Sequence, residues 1–217
     1  KEARKVMNEI IEDPILNETQ KDAAIMGVMA HMITTTNLHQ HVKGSTPKEV
    51  TMKLAKNKGL PEIALHDIES AYTMAEKGYP SLLKFNKAYD IIGQVIFTQE
   101  DYKSSIEGII RESMKRGQQV CEVRCACDSL YYDKARKKPL SPTEGTLSIL
   151  KAIEEVKAEI CEEGLEPPKT GFVFLIFRGK EWDGSIPMAI IQAKEAVRIA
   201  KEHPEIKFGL DVAGPED

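Results

Sequence analysis

The order in which two periodicities alternate along this chain limits its fold more than any other feature. Four segments read as strands: Ile33 to His39, Gln119 to Cys127, Gly171 to Phe177 and Lys207 to Ala213. Gln119 to Cys127 alternates with period two, whereas Gly171 to Phe177 is apolar on both faces. Helical patterns fall between them. Thr46-Pro47-Lys48-Glu49 opens one as a capping box that should stop at Gly59, and further patterns span about 62–77, 81–97 and 98–116. Later, Ser141-Pro142-Thr143-Glu144 caps a helix closing at Gly164, and Ile186 to Glu202 is helical. The order is strand, several helices, strand, helix, strand, helix, strand, which implies an α/β fold of parallel strands joined by right-handed crossovers. The first 36 residues read as a helical extension, with Asn17-Glu-Thr-Gln20 capping its second helix.

On that scheme the polar residues collect at one edge. His39 and His41, Arg124 with Asp128, Arg178, and Asp211 with Gly214 all fall near C-terminal strand ends. In parallel α/β folds that edge carries the chemistry. On an extended strand residues i and i+2 project from one face, so His39 and His41 can turn both imidazoles to one ion. Gly44 lets backbone approach, and a helix starts near Thr46. A hydrogen-bonded pair of histidines fits the same spacing, and zinc normally takes three or four protein ligands, so the others must come from elsewhere. His31, His66 and His203 sit in helical patterns without ligand spacing and are expected to be structural.

Composition narrows the partners. With 217 residues the chain can bury a substantial core, and Lys+Arg 30 against Asp+Glu 34 nearly cancel. No strong field favours nucleic acid or an anionic membrane, and no run approaches the ~18 apolar residues of a membrane span. The chain reads as soluble and cytoplasmic. It begins with Lys1 rather than Met, so an upstream segment is expected to have been removed. Cys121, Cys125, Cys127 and Cys161 are expected to be reduced. The first three share a strand face and read as buried apolar thiols rather than zinc ligands. The H-x-E with P-C-x-x-C combination of base-flipping zinc deaminases does not occur, nor does a phosphate-cradling G-x-x-x-x-G-K-[ST] or a G-x-S-x-G elbow.

Four stretches, in order between residues 38 and 216, carry a family resemblance. Leu38-His-Gln-His41-Val-Lys-Gly44-Ser45 is similar to L-H-x-H-L-D-G-S, and Ser81-Leu82-Leu-Lys-Phe85-Asn-Lys-Ala-Tyr89-Asp90 to S-L-x-x-F-L-x-x-F-D. Glu122-Val123-Arg124-Cys125-Ala126 is similar to E-V-R-F-A, and Asp211-Val-Ala213-Gly214-Pro215-Glu216 to D-L-A-G-x-E. With them the chain resembles the N-terminal part of adenosine deaminase and its amidohydrolase relatives. The resemblance implies a (β/α)8 TIM-type barrel with one Zn²⁺ per complete barrel, in which zinc lowers the pKa of bound water to about 7 for attack on a 6-aminopurine nucleoside. It makes His39 and His41 metal ligands and Gly214 a backbone donor to a purine ring nitrogen. Leu82, Phe85 and Tyr89 become a gate over the nucleoside, although their spacing alone suits core packing. Arg124 and Arg178 support the site, and Asp211 either supports it or caps a helix.

Two departures matter. The family's third zinc histidine and its proton-donating glutamate form H-A-G-E, beyond the D-L-A-G-x-E motif, and no H-A-G-E occurs here. Residues 37–217 therefore look like the first half of a barrel, four strands of eight, with no catalytic residue of its own; the catalytic groups are expected downstream of Asp217. The partner implied is the C-terminal half, and alone the 217 residues should not turn over substrate. The second departure is Lys43, where the family motif has an acidic residue. An ammonium has no acceptor for a ribose hydroxyl. It either holds an anionic group of the substrate or faces solvent. Adenine, modified nucleosides or nucleotides are alternative substrates, and a non-catalytic relative acting as an interaction module is the alternative outside enzymes.

Overall fold

A computed structural model describes residues 2–32, 35–126, 132–133, 138–139, 142–177, 185–204 and 208–213. Its spine is a four-stranded parallel sheet in the order β1 (Thr35–His41), β2 (Gln118–Ala126), β5 (Lys169–Phe177), β6 (Phe208–Ala213). Neighbours in the sheet follow the order of the chain, as in a barrel rather than a doubly wound sheet. Helices α7 (Gln99–Lys115), α8 (Pro142–Glu162) and α9 (Ser185–Glu202) precede β2, β5 and β6 respectively. A two-residue antiparallel ladder, β3 (Tyr132–Asp133) with β4 (Lys138–Pro139), sits between β2 and α8.

Alternation in β2 separates two environments. Cys121, Val123 and Cys125 are buried on the face that meets the helices, within a core that includes Ile106, Ile109 and Ile110 of α7 and Ile149, Ile153, Val156 and Ile160 of α8. Phe172 and Phe174 of β5 join them. Glu122 and Arg124 point to the opposite face, the concave side of a barrel. None of the described cysteines, 121, 125 and 161, is in a disulfide; the first two are buried and the third is exposed.

Between β1 and β2 lie α3 (Val42–Ser45), α4 (Lys48–Asn57), α5 (Glu62–Lys77), α6 (Leu82–Gly93) and α7. A capping box opens α7, with the Thr98 hydroxyl accepting from the Asp101 N–H and the Asp101 carboxylate accepting from the Thr98 N–H. Burial would raise the Asp101 pKa. The Lys58 ammonium at 2.7 Å and the N–H groups of Thr98 and Phe97 outweigh it and hold the carboxyl below its usual value. The N-terminal α1 (Glu2–Glu12) and α2 (Glu18–Met32) pack on each other, and Asn17 and Gln20 cap α2 reciprocally.

The structure departs from the sequence pattern at four places. The first strand ends at His41 rather than His39, because its ladder with β2 extends to His41 opposite Arg124, and Ile33 and Thr34 lie outside the described residues. Thr46 does not cap α4. Its hydroxyl donates to the Val42 carbonyl at 2.7 Å and closes α3, a helix that the pattern did not reveal. The helix from 81 ends at Gly93 instead of 97, since Val95 and Ile96 leave the helical path to fill the core. Among the predicted helical histidines, His203 lies just past the end of α9. Ser141, Cys127 and Asp128 lie outside the described residues, as do Arg178 and Gly214. Asp217, after which the catalytic groups are expected, lies outside them too.

α7 also passes close to the start of α4. A Cβ on Gly108 would stand 2.8 Å from Val50 Cγ2 and 3.0 Å from Pro47 Cδ. Alanine at a helix interior favours stability by about 1 kcal/mol over glycine, but overpacking against a rigid proline ring costs about 1–3 kcal/mol. Gly108→Ala should therefore lower the urea midpoint. A midpoint at or above that of the parent would show that the two helices separate freely.

Candidate metal centre at the strand ends

The end of β1 is irregular, and the irregularity builds the site. Asn37 pairs with Cys121 and Gln40 with Val123, so Leu38 and His39 together stand opposite the single residue Glu122. This is a bulge, which turns Asn37 and Gln40 to the helix side and leaves His39 and His41 on the concave side. The Asn37 side-chain oxygen accepts the His39 N–H at 3.3 Å. The two Nε2 atoms are 3.2 Å apart, with ring centroids 5.1 Å apart.

That separation suits a shared ion. Two nitrogens bound at 2.0–2.1 Å to a tetrahedral zinc are about 3.3 Å apart. It also suits one N–H···N hydrogen bond between neutral rings. His41 is half-buried, and its pKa is lowered by burial first, then by His39 and Arg124, with Asp211 opposing. The lowered value favours the neutral imidazole that a metal requires. Among the described residues no group of three His, Cys, Asp or Glu side chains is placed to hold a metal. The described residues thus fit two of a metal's ligands.

Arg124, 8% exposed, is the charged side chain closest to this pair in the ladder, directly opposite His41. Its guanidinium donates to the Asp211 carboxylate on β6 and to the Leu38 carbonyl on β1, and lies 4.0 Å from the Glu122 carboxylate. Asp211 therefore joins the site through Arg124.

The α6 aromatic residues close one side. Tyr89 meets the His41 ring edge-on with centroids 6.4 Å apart, Phe85 lies 6.1 Å beyond it, and Tyr79 lies 5.2 Å from Phe85. Burial, Cys125 and Asp90 raise the Tyr89 pKa, so its phenol stays protonated. Phe85 is 41% exposed, which leaves part of its ring uncovered near the site. Leu82 begins α6. Lys43 lies along the last residue of that helix: a Cβ on Gly93 would be 3.7 Å from its Nζ. A cation is favourable at a helix C-terminus. Tyr79, the Leu38 carbonyl and the Asn37 bond were missed by sequence reading, because each acts through a ring contact or a bulge that no local motif encodes.

A cavity of about 390 Å³ lies behind β1, lined by Gln40, Thr46, Tyr72, Ser113 and Gln118 among others, and contains neither histidine. No helix among the described residues is long and apolar enough to cross a membrane.

Several solved structures share this fold. No protein-family model matches the chain, and no curated protein matches its sequence. An adenine deaminase from Arthrobacter aurescens superposes with TM-score 0.58 at 15% identity, covering 84% of this chain and 49% of its own. The apo N6-methyl-AMP deaminase of Arabidopsis thaliana gives TM-score 0.60 at 15% identity, covering 86% and 50%. An amidohydrolase from Burkholderia ambifaria with bound Zn gives TM-score 0.60 at 15% identity, covering 95% and 50%. The fold is that of half a TIM-type (β/α)8 barrel. The chain spans about half the length of these structures, and the likeness extends to the fold alone.

Tyr89 reaches His41 because Gly44 has no side chain. A Cβ there would stand 3.2 Å and 3.3 Å from ring carbons of Tyr89. Gly44→Ala should cost about 1 kcal/mol in denaturant unfolding, and the cost should vanish in a Tyr89→Ala background. An undiminished penalty in that background would place the strain elsewhere.

Proposed function

We propose that this chain is the metal-holding half of a zinc-dependent hydrolytic deaminase that converts adenosine or a related 6-aminopurine nucleoside to the inosine-type product and ammonia. The observation that carries the reading is the pair of imidazoles, with Nε2 atoms 3.2 Å apart, at the C-terminal end of β1 in half a (β/α)8-type barrel. That is the end where barrels of this kind do chemistry. The sequence motifs around residues 38–45, 81–90, 122–126 and 211–216 support the same reading.

In this proposal His39 and His41 hold Zn²⁺, and the remaining ligands and the proton-donating carboxyl come from the other half of the barrel. The metal supplies Lewis acidity and an acidified water. The residues of this chain position and enclose. Arg124, Arg178 and Asp211 support the ligand strands, Leu82, Phe85 and Tyr89 cover the purine and exclude water, and the Gly214 N–H donates to a ring nitrogen. The net reaction adds water across the amidine carbon and releases the amino group as ammonia. Adenine, as in the Arthrobacter neighbour, and nucleotides, as in the Arabidopsis one, are the nearest alternatives. A barrel that keeps the fold without metal, acting as an interaction module, is the alternative outside enzymes.

The test uses the full-length protein. Metal analysis should give about one zinc per barrel, and His39→Ala or His41→Ala should remove it and lower kcat by at least ~100-fold. Ammonia release should be measured over adenine, adenosine, AMP and N6-methyl-AMP. Metal-replete protein that holds no zinc, or that deaminates none of the four, refutes the reading.

Lys43 decides the anionic variant of the proposal. If it holds a substrate phosphate, Lys43→Ala should raise KM for AMP by about 10-fold and leave adenosine unchanged, the loss of one charge-assisted contact. Equal effects on both substrates, together with a lower thermal midpoint, would instead assign it to the C-terminus of α6.

A further inference from the structure

The β1 bulge raises a mechanical question. Leu38 and His39 have no regular partners in β2, and Leu38 is 49% exposed, so neither the ladder nor core packing fixes this backbone. Yet His39 must hold its ring beside that of His41. Two side chains restrain the segment. One is Asn37, whose oxygen accepts the His39 N–H at 3.3 Å. The other is Arg124, which donates to the Leu38 carbonyl, one peptide before His39.

We propose that Arg124 is the positioning residue for the histidine pair: its guanidinium ties the bulged Leu38 peptide of β1 to Asp211 of β6 and so fixes the angle at which His39 meets His41. The inference rests on the metal reading of those histidines. It goes further by assigning the geometry of the pair to one fork of donors. Nη1 engages the Asp211 carboxylate and Nη2 the Leu38 carbonyl, so a single planar group spans from one edge strand to the other. Register explains how it reaches. Arg124 lies opposite Val173, and Val173 opposite Gly209, which offers no side chain on that face, while Asp211 stands two residues further along β6, on the same face. Asp211 anchors the guanidinium, and the anchored guanidinium holds the peptide.

The chemistry requires arginine. A lysine keeps the charge and part of the length but presents a point charge, which cannot hold a carboxylate and a carbonyl in fixed, separate directions. Burial adds to the requirement, because Arg124 is 8% exposed and a guanidinium that released its two acceptors would have little water to turn to.

The experiment compares the full-length protein with Arg124→Lys and Asp211→Asn in zinc affinity, by chelator competition, and in the visible spectrum of the Co²⁺-substituted form, which reports ligand geometry. Partners that orient metal ligands typically contribute 10–100-fold in affinity. Arg124→Lys should lose at least 10-fold and shift the Co²⁺ bands, and Asp211→Asn should change both in the same direction by less. Thermal midpoints provide the control for a general loss of fold, and if Arg124→Lys does not fold, Asp211→Asn with Asn37→Ala carries the test. Zinc affinity within twofold of the parent and an unchanged Co²⁺ spectrum in a folded Arg124→Lys or Asp211→Asn protein would overturn the role of Arg124 while leaving the metal reading intact. A parent protein that binds no metal, or that keeps it in His39→Ala, would overturn both.

Discussion

β2 is in contact on both of its faces, and the two contacts differ in kind. On one face Cys121, Val123 and Cys125 are pressed into isoleucines of α7 and α8, a contact without directionality that is satisfied by shape and hydrophobicity. On the other face Arg124 makes directional bonds to a carboxylate and a backbone carbonyl. The period of two ties them together, because a one-residue slip of β2 would put the guanidinium among isoleucines and a thiol among the polar partners. Burying an unpaired guanidinium there would cost several kcal/mol. Register is therefore set by the core, and the core indirectly sets where the histidines of β1 stand, since the ladder of β1 is read from β2.

Helix boundaries were legible where local chemistry decides them. Thr98 with Asp101 and Asn17 with Gln20 form the reciprocal caps that their spacing announces. Gly117 and Gly164, with φ of 66° and 77°, end α7 and α8 where the sequence places the stops. Boundaries set by tertiary packing were not legible. Thr46 has the neighbours of an N-cap, but the chain leaving β1 turns at once into α3, and its hydroxyl donates back to the Val42 carbonyl instead of accepting from an N–H of α4. Val95 and Ile96 continue a helical pattern, yet they are worth more inside the core than in another turn of α6.

The site divides in the same way. The spacing of His39 and His41 was readable because both lie on one strand, and the aromatic residues of α6 were readable as one helix face. The bond from Arg124 to the Leu38 carbonyl joins residues 86 positions apart, and its acceptor is a main-chain atom that no residue identity marks. The bulge has a comparable cause: it comes from a mismatch between two strands and belongs to neither sequence alone.

The sheet is supported unequally. Phe172 and Phe174 on the helix side of β5 are 3% and 0% exposed, whereas Leu210 and Val212 on the same side of β6 are 58% and 55% exposed. Fully covering a Leu or Val side chain contributes about 1.5–3 kcal/mol, so β6 lacks in the described residues the packing that holds β5. Asp211 belongs to this less supported strand. Its bond to Arg124 then works in both directions, with the carboxylate orienting the guanidinium and the guanidinium, fixed by the well-packed β2, restraining β6. Covering the outer face of β6 would stiffen Asp211 and, through Arg124, the Leu38 peptide beside His39. Packing on one face of the sheet and ligand geometry on the other are thus linked through three named residues.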